Sequence, residues 1–298
     1  MCSDRSVTPP DKPGAEPAHL RKVAVTVATE AAAFVRRRRA EVFGPSTERA
    51  PGDDAVRAKT TPTDPVTVVD TETEQLLRDR LAVLAPGDLI LGEEGGGPRD
   101  AAADGAGAVT WVLDPIDGTV NFVYGIPAYA VSVCAQIDGV SVAGAVADVV
   151  AGRVYSAASG LGAHVTDGHG SQELRCTAVT ELSMALLGTG FGYSPSRRVR
   201  QAELVAQMLP VVRDVRRIGS AALDLCMVAA GHLDAYYEHG LQVWDCAAGA
   251  LIAAEAGARV VLPPPGANGA GLVLAAAPGI ADALLAALRH VGGSDPID

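Results

Sequence analysis

From Leu20 the apolar positions Val23, Val27, Ala31, Phe34 and Val35 recur at steps of three and four. That spacing predicts an amphipathic helix running to about residue 43. The four arginines at its end, Arg36 to Arg39, read as a solvated last turn favoured by the helix dipole and are given no functional role. Residues 44–63 read as a loop, and residues 70–84 as a second helix with Leu76, Leu77, Leu81 and Leu84 on one side. The pattern then changes to short apolar runs bounded by turn residues, which predict strands at 88–91 and 109–113. Two further strands, 128–136 and 140–150, flank Ile137-Asp138-Gly139, a hairpin signal. In the second half, helical stretches at 203–212, 220–230 and 245–256 alternate with apolar strands at 185–187, 235–237 and 272–275. No internal repeat is evident. The expected organisation is a polar, proline-rich tail over 1–17 with order beginning near His19, a mixed α/β half to residue 158, and a second half over 159–298.

Composition narrows the classes. The 298 residues are 48% hydrophobic and 20% charged, enough to bury a large core. A formal charge of −11 argues against a surface generally coated by nucleic acid and suits a protein that binds cations. The five cysteines, at 2, 134, 176, 226 and 246, contain no C-x-x-C pair and are odd in number. Neither a zinc ribbon nor a disulfide framework is indicated, and a reducing cytoplasm is the expected compartment. The first residues lack an apolar core, and no later run has some eighteen strongly apolar residues, so neither secretion nor membrane insertion is expected.

The chemistry lies in carboxylates placed at the ends of elements. In Trp111-Val112-Leu113-Asp114-Pro115-Ile116-Asp117-Gly118-Thr119, an apolar strand runs into one acid, a turn follows, and a second acid returns three residues later. Two carboxylates then face one point, and a helix starting at Gly118-Thr119 would aim free N–H groups at a phosphate. The same run also reads as a strand end at Asp114 and a helix cap at Asp117, and by itself it leaves both readings open. Glu93 and Glu94 follow a strand in a glycine-rich turn, which alone reads as a solvated turn. Asp70 and Asp245 each have the position of a helix N-cap. The coincidence carries the weight: acids at 70, 93, 114, 117 and 245 all lie where layered α/β folds expose their clefts, and hard divalent cations need oxygen ligands gathered from several such places. Lysine occurs only at 12, 22 and 59, so Lys59 reads either as a chosen compact ammonium or as a chance surface residue.

These residues resemble a known family, the magnesium-dependent, lithium-sensitive inositol monophosphatases, and in particular its actinobacterial, mycobacterial-type members. The resemblance spans about residues 20–290. It rests on Lys59-Thr60-Thr61-Pro62-Thr63-Asp64-Pro65-Val66-Thr67-Val68-Val69-Asp70, on Gly92-Glu93-Glu94, on the run from Trp111 to Phe122, and on the run from Val243 to Gly257. Gly219-Ser220-Ala221-Ala222 and Asp234-Ala235-Tyr236-Tyr237-Glu238 add to it. The resemblance implies a layered α-β-α-β-α sandwich and the hydrolysis of myo-inositol 1-phosphate by a metal-activated water. It implies two Mg2+ ions per subunit, with a third, weaker one near Glu93. Glu93, Asp114, the Ile116 carbonyl and Thr119 would hold one; Asp114, Asp117 and Asp245 would hold the other. Asp70 and Thr119, with Glu93, would form the catalytic group, and Lys59 and Glu94 would support it from behind. Asp117, Gly118, Thr119, Ala221, Glu238 and Asp245 would contact the substrate. Gln242 stands where many relatives have histidine, and it bears on the ring pocket. A homodimer is also implied.

Two alternatives are kept. One is the same fold acting on another small phosphate, such as fructose 1,6-bisphosphate, histidinol phosphate or an adenosine 3′-phosphate. The other is a binding role beside the transcription machinery, for which Arg197, Arg198, Arg200, Arg213, Arg216 and Arg217 would supply a basic surface; a solvated helix is the plainer account of that cluster.

Overall fold

The computed structural model describes residues 15–44, 56–59, 65–97, 107–264 and 269–297. Most of the expected tail, and residues 45–55 and 60–63 of the expected loop, therefore lie outside the described residues. Helix α1 (Pro17–Phe43) begins three residues earlier than its apolar period suggests, because Pro17 suits a first helical turn and the preceding Ala15 is already buried. Strand β1 (Val56–Ala58) lies within the expected loop and pairs antiparallel with β2 (Pro65–Thr67), which leads into α2 (Val68–Leu84). Then come β3 (Leu89–Gly92), β4 (Val109–Asp117), the short helix α3 (Thr119–Tyr124), β5 (Ala130–Ile137) and β6 (Val140–Asp148). Strands β7 (Arg153–Ala158), β8 (Ala163–Asp167) and β9 (Gly170–Glu173) complete a seven-stranded sheet in simple order from β3 to β9. Only the β3–β4 pair is parallel. The sheet runs through residue 158, the expected junction of two halves, and the chain crosses to a second sheet only after Glu173.

That second sheet has the order β11-β10-β12-β14-β13. Its elements are β10 (Leu186–Thr189), α4 (Pro195–Met208), β11 (Asp214–Arg216), α5 (Ala221–Ala229), β12 (Ala235–His239), α6 (Val243–Glu255), β13 (Arg259–Val261), β14 (Leu272–Ala276) and α7 (Pro278–His290). Helix α4 spans residues 195–208 rather than 203–212. Pro195 at its first turn starts it early, and its polar first half hides it from an apolar-period reading. Helix α7 escaped the sequence pattern too, although Ile280, Ala281, Leu284 and Leu288 form its buried stripe.

Five layers follow from how the apolar positions divide. Along β5, Val131, Val133, Ala135 and Ile137 face a core shared with α1 and α2, while Ala130 and Cys134 face α5 and α6 on the other side. A strand buried on both faces loses its polar alternation, which is why 128–136 reads as a continuous apolar run. Helices α5 and α6 are themselves sandwiched. Ala222, Leu223, Cys226, Ala248 and Ile252 pack on the seven-stranded sheet, and Ala221, Leu225, Val228 and Ala253 pack toward Tyr236 and Val273 of the second. Helices α4 and α7 cover its far face through Met208, Leu284 and Leu288. The order is helices, sheet, helices, sheet, helices, the α-β-α-β-α sandwich expected.

Small residues set the spacing of the middle layer. A Cβ on Gly249 of α6 would come within 2.8 Å of Leu225 Cβ on α5, and one on Gly144 of β6 within 3.1 Å of Ala248 Cβ. The arginine run at 36–39 is not a freely solvated turn. Arg36 donates to the Val149 carbonyl at 2.9 Å, Arg38 pairs with Glu72 of α2 at 2.7 Å, and Arg39 donates to the Phe122 carbonyl at 3.0 Å. Three of the four therefore fasten α1 to its neighbours, while Arg37 stays with its own helix.

Gly249→Val is expected to destabilise the fold by roughly 2–3 kcal/mol, because the α5–α6 contact has no room for two methyl groups. A lowered urea midpoint at unchanged slope would register it; an unchanged midpoint would show that the two helices separate freely.

Candidate active site and metal centre

Four element ends converge on one cleft. Strand β4 does not stop at its first acid but continues to Asp117, and a bulge re-aims it there: Asp114 faces Ser132, whereas Asp117 faces Ala130, so three steps on β4 match two on β5. An extra residue inserted this way lets carboxylates three apart point to one side. Asp114 Oδ1 accepts from the Ile116 N–H at 3.0 Å, which fixes its rotamer. Gly118 then turns the chain at φ +93, and a side chain there would press to 3.0 Å on the Ala128 carbonyl and 3.1 Å on that of Gly219. Asp117 is thus not the cap of α3; Gly118 holds that position.

Asp117 instead faces the start of α5. Its Oδ2 accepts from Ser220 Oγ at 2.6 Å and from the Ala222 N–H at 2.7 Å, and the Ala221 N–H turns toward it too. Asp245 arrives from α6 and Asp70 from α2, and both sit in the first turn of their helices, at the third residue, rather than at the cap. Thr67 caps α2 and Gln242 caps α6, each forming a reciprocal box with the acid three residues later. Asp70 Oδ2 accepts from Thr67 N at 2.9 Å and Asp245 Oδ2 from Gln242 N at 2.6 Å. Gln242 is therefore anchored as a cap. Asp70 is left with Oδ1 facing Thr119, whose Oγ1 lies 3.1 Å from it and 2.9 Å from the Ile116 carbonyl. One hydroxyl proton serves those two acceptors in turn.

Asp114, Asp117 and Asp245 each offer an oxygen within 4.8 Å of the others. Glu93 stands beside Asp114 and is held from behind by Lys59, whose Nζ lies 2.6 Å from Glu93 Oε1. Lys59 also lies 2.5 Å from Glu94 Oε1, an ion pair without the alignment of a hydrogen bond. Burial is the first cause of the raised pKa at Asp114 and Asp245, followed by the neighbouring acids. The donor set consists of oxygens only, and carboxylates this close repel one another unless a proton or cation lies among them; the arrangement fits a hard divalent cation.

Glu238 lies apart from these acids on β12. It accepts from Tyr236 OH at 2.5 Å, and burial pushes its carboxyl up to about 7. Gly190 leaves space for it, since a Cβ there would overlap Glu238 Oε2. Asn121, quoted above only as part of a motif, ties three segments together by donating to the Ala128 carbonyl at 2.7 Å and the Ile218 carbonyl at 2.9 Å. A polar side chain in an apolar stretch beside Gly118 was the available signal. Three arginines of the alternative basic surface have partners within the protein: Arg200 pairs with Glu203, Arg216 with Asp214, and Arg197 donates to the Ile297 carbonyl at 3.0 Å. Arg217 lies over the Phe191 ring and biases the charge on Asp117 and Glu238, so it faces the cleft. Among the described residues, no helix is long and apolar enough to cross a membrane.

In the metal-free protein, burial pushes Asp70 up to about 7 and Asp117 up to about 6. An acid whose native pKa exceeds its unfolded value binds more protons when folded, so stability falls as pH rises between the two values. The melting temperature of chelator-treated protein is expected to fall from about pH 4 to pH 7, and Asp70→Asn to flatten that decline. A melting temperature rising over this interval in both proteins would contradict the burial of these acids.

Residues 16–292 match the model of the inositol monophosphatase family. The chain is 77% identical over 289 residues to the inositol-1-monophosphatase of Mycobacterium leprae, covering 96% of this chain and 98% of that one. It is 74% identical over 287 residues to the inositol-1-monophosphatase SuhB of Mycobacterium tuberculosis, covering 96% and 99%. The solved structure of Mycobacterium tuberculosis SuhB aligns with a TM-score of 0.78 at 67% identity, covering 94% of this chain and 99% of that one.

Proposed function

Because the chain belongs to the inositol monophosphatase family, we propose that this phosphatase hydrolyses myo-inositol 1-phosphate and related inositol monophosphates with Mg2+ as its cofactor. The observation that carries the proposal is the meeting of Asp114, Asp117 and Asp245 within 4.8 Å, with the Asp70–Thr119 hydrogen bond beside them. Two ions are proposed. Glu93, Asp114, the Ile116 carbonyl and Thr119 would hold one, and Asp114, Asp117 and Asp245 the other. Bound there, the cations would lower the proton affinity of water and neutralise charge on the phosphate.

The chain's own groups have separable tasks in this reading. Thr119 Oγ1, when its proton points to Asp70 Oδ1, turns its lone pairs to the cleft and accepts a hydrogen bond from the attacking water. Asp70 is the base behind it, and the capping bonds from Thr67 hold its second oxygen so that only Oδ1 can serve. Gly118 and Thr119 offer backbone N–H groups to the phosphate. Glu238, the Ala221 backbone, Asp117 and Asp245 take the hydroxyls of the ring. Glu238 is suited to this because a carboxyl near neutrality both donates and accepts. Lys59 and Glu94 keep Glu93 in place.

Phosphate release from inositol 1-phosphate, fructose 1,6-bisphosphate, histidinol phosphate and adenosine 3′-phosphate, measured with and without Mg2+, tests the assignment. Inositol 1-phosphate is expected to have the highest kcat/KM, and a preference for a nucleotide substrate would overturn it. Asp114→Asn is expected to lower kcat/KM by about a thousandfold, on the order of 4 kcal/mol of barrier. Asp70→Asn should lower kcat while leaving KM within about threefold, as removal of a base requires.

A further inference from the structure

Glu74 has no place in the chemistry above, yet it is a buried carboxylate, 2% exposed, four residues after Asp70 on the same face of α2. Its environment is unusual. Residues 92–96 close into a small ring through reciprocal bonds of 3.1 Å between Gly92 N and Gly96 O and between Gly96 N and Gly92 O. The Glu74 carboxylate caps this ring: Oε2 accepts from the Glu94 N–H at 2.7 Å and Oε1 from the Gly95 N–H at 2.8 Å. Arg78, one turn further along α2, donates to Glu74 Oε1 at 2.8 Å and reaches the Gly96 carbonyl at 2.6 Å. Two of the glycines, Gly92 and Gly95, are explained by the same carboxylate. A Cβ at Gly92 would lie 2.3 Å from Glu74 Oε1, and one at Gly95 would lie 2.6 Å from it. The remaining link is to β4, where Glu93 N donates to the Leu113 carbonyl at 3.2 Å, one residue before Asp114.

We infer that Glu74, neutralised by Arg78, is a positioning residue that organises the Gly92–Gly96 loop so that Glu93 faces Asp114, and that it thereby sets the affinity of the site for its divalent cation. The role rests on the metal reading proposed above. A run of Gly-Glu-Glu-Gly-Gly would otherwise be free to swing its acids away from three like-charged neighbours. Two acceptor oxygens bound to two consecutive N–H groups remove that freedom from the backbone, while Lys59 restrains only the side chains. Helix α2 thus delivers two carboxylates with different tasks, Asp70 to Thr119 and Glu74 to the loop that carries Glu93.

Glu74→Gln tests this, because a carboxamide has one acceptor oxygen and turns its NH2 against the other loop N–H. Mg2+ binding by titration calorimetry at 20 °C is expected to weaken roughly 10- to 100-fold, as for other groups that orient metal ligands. Amide hydrogen exchange at Glu94 and Gly95 should accelerate, and the Mg2+ concentration for half-maximal phosphate release should rise more than kcat falls. A variant with a lower melting temperature but wild-type Mg2+ affinity and loop exchange would overturn the inference, leaving Glu74 a purely structural residue. Should Glu74→Gln fail to fold, Arg78→Met removes only the outer arm and is expected to weaken Mg2+ binding in the same direction by a smaller factor; unchanged affinity there would also overturn it. Wild-type protein that binds no Mg2+ would sink the metal reading and this inference together, whereas normal wild-type binding lost in Asp114→Asn but kept in Glu74→Gln would sink this inference alone.

Discussion

Mutual repulsion among carboxylates that share one cleft is the constraint on which the rest of this structure depends. Asp114, Asp117 and Asp245 bring oxygens within 4.8 Å of one another, with Glu93 beside them and Asp70 behind Thr119. Two unit charges 4 Å apart at an effective dielectric of 20 repel by about 4 kcal/mol, so several such pairs strain a fold of ordinary stability. The protein meets this in three ways. Backbone N–H groups at helix starts donate to Asp117 and Asp245, Lys59 sets one positive charge between Glu93 and Glu94, and burial beside like charges raises the proton affinity of Asp114 and Asp245. A cation bound among them would do the same work while keeping the oxygens ionised.

The layered architecture is what permits this concentration. Helices α2, α5 and α6 begin beside the end of β4, so their positive ends surround the acids. Two of those helices lie between sheets and bury both sides, which requires the small residues that let α5 approach α6 at Gly249 and α6 approach β6 at Gly144. Helix packing and site geometry are therefore one problem here. Separation of the middle layer would move Asp245 and the N–H groups that hold Asp117 away from Asp114.

Asp70 and Asp245 show how local rules and function overlap. Each is the third residue of a helix whose cap it completes, so one oxygen serves the helix and the other faces the cleft. Thr67-x-x-Asp70 and Gln242-x-x-Asp245 are capping boxes in the structure, whereas in the sequence an acid at a helix start reads as the cap itself. The turn bearing Glu93 is similar. It reads as a solvated turn, yet Gly92 and Gly95 leave the space required by Glu74, a residue forty positions before Asp114.

The order of the chain determined much of this protein by itself. Apolar periodicity marked α1, α2, the buried strands and the Ala-rich helices, and the placement of acids at element ends marked Asp70, Glu93, Asp114, Asp117 and Asp245. These are local signals, because periodicity reflects which face a residue buries and a turn residue records its own backbone. Only the tertiary structure decided that Asp114 and Asp117 lie on one bulged strand, that Arg36, Arg38 and Arg39 fasten α1 to neighbouring segments, and that α4 and α7 close the far side. The reason is physical: a carboxylate's partner, an arginine's acceptor and a helix's covering surface come from segments distant along the chain. Convergence of the four element ends was likewise beyond any one of them, since each acid alone had an ordinary explanation and only their shared cleft made mutual repulsion the governing fact.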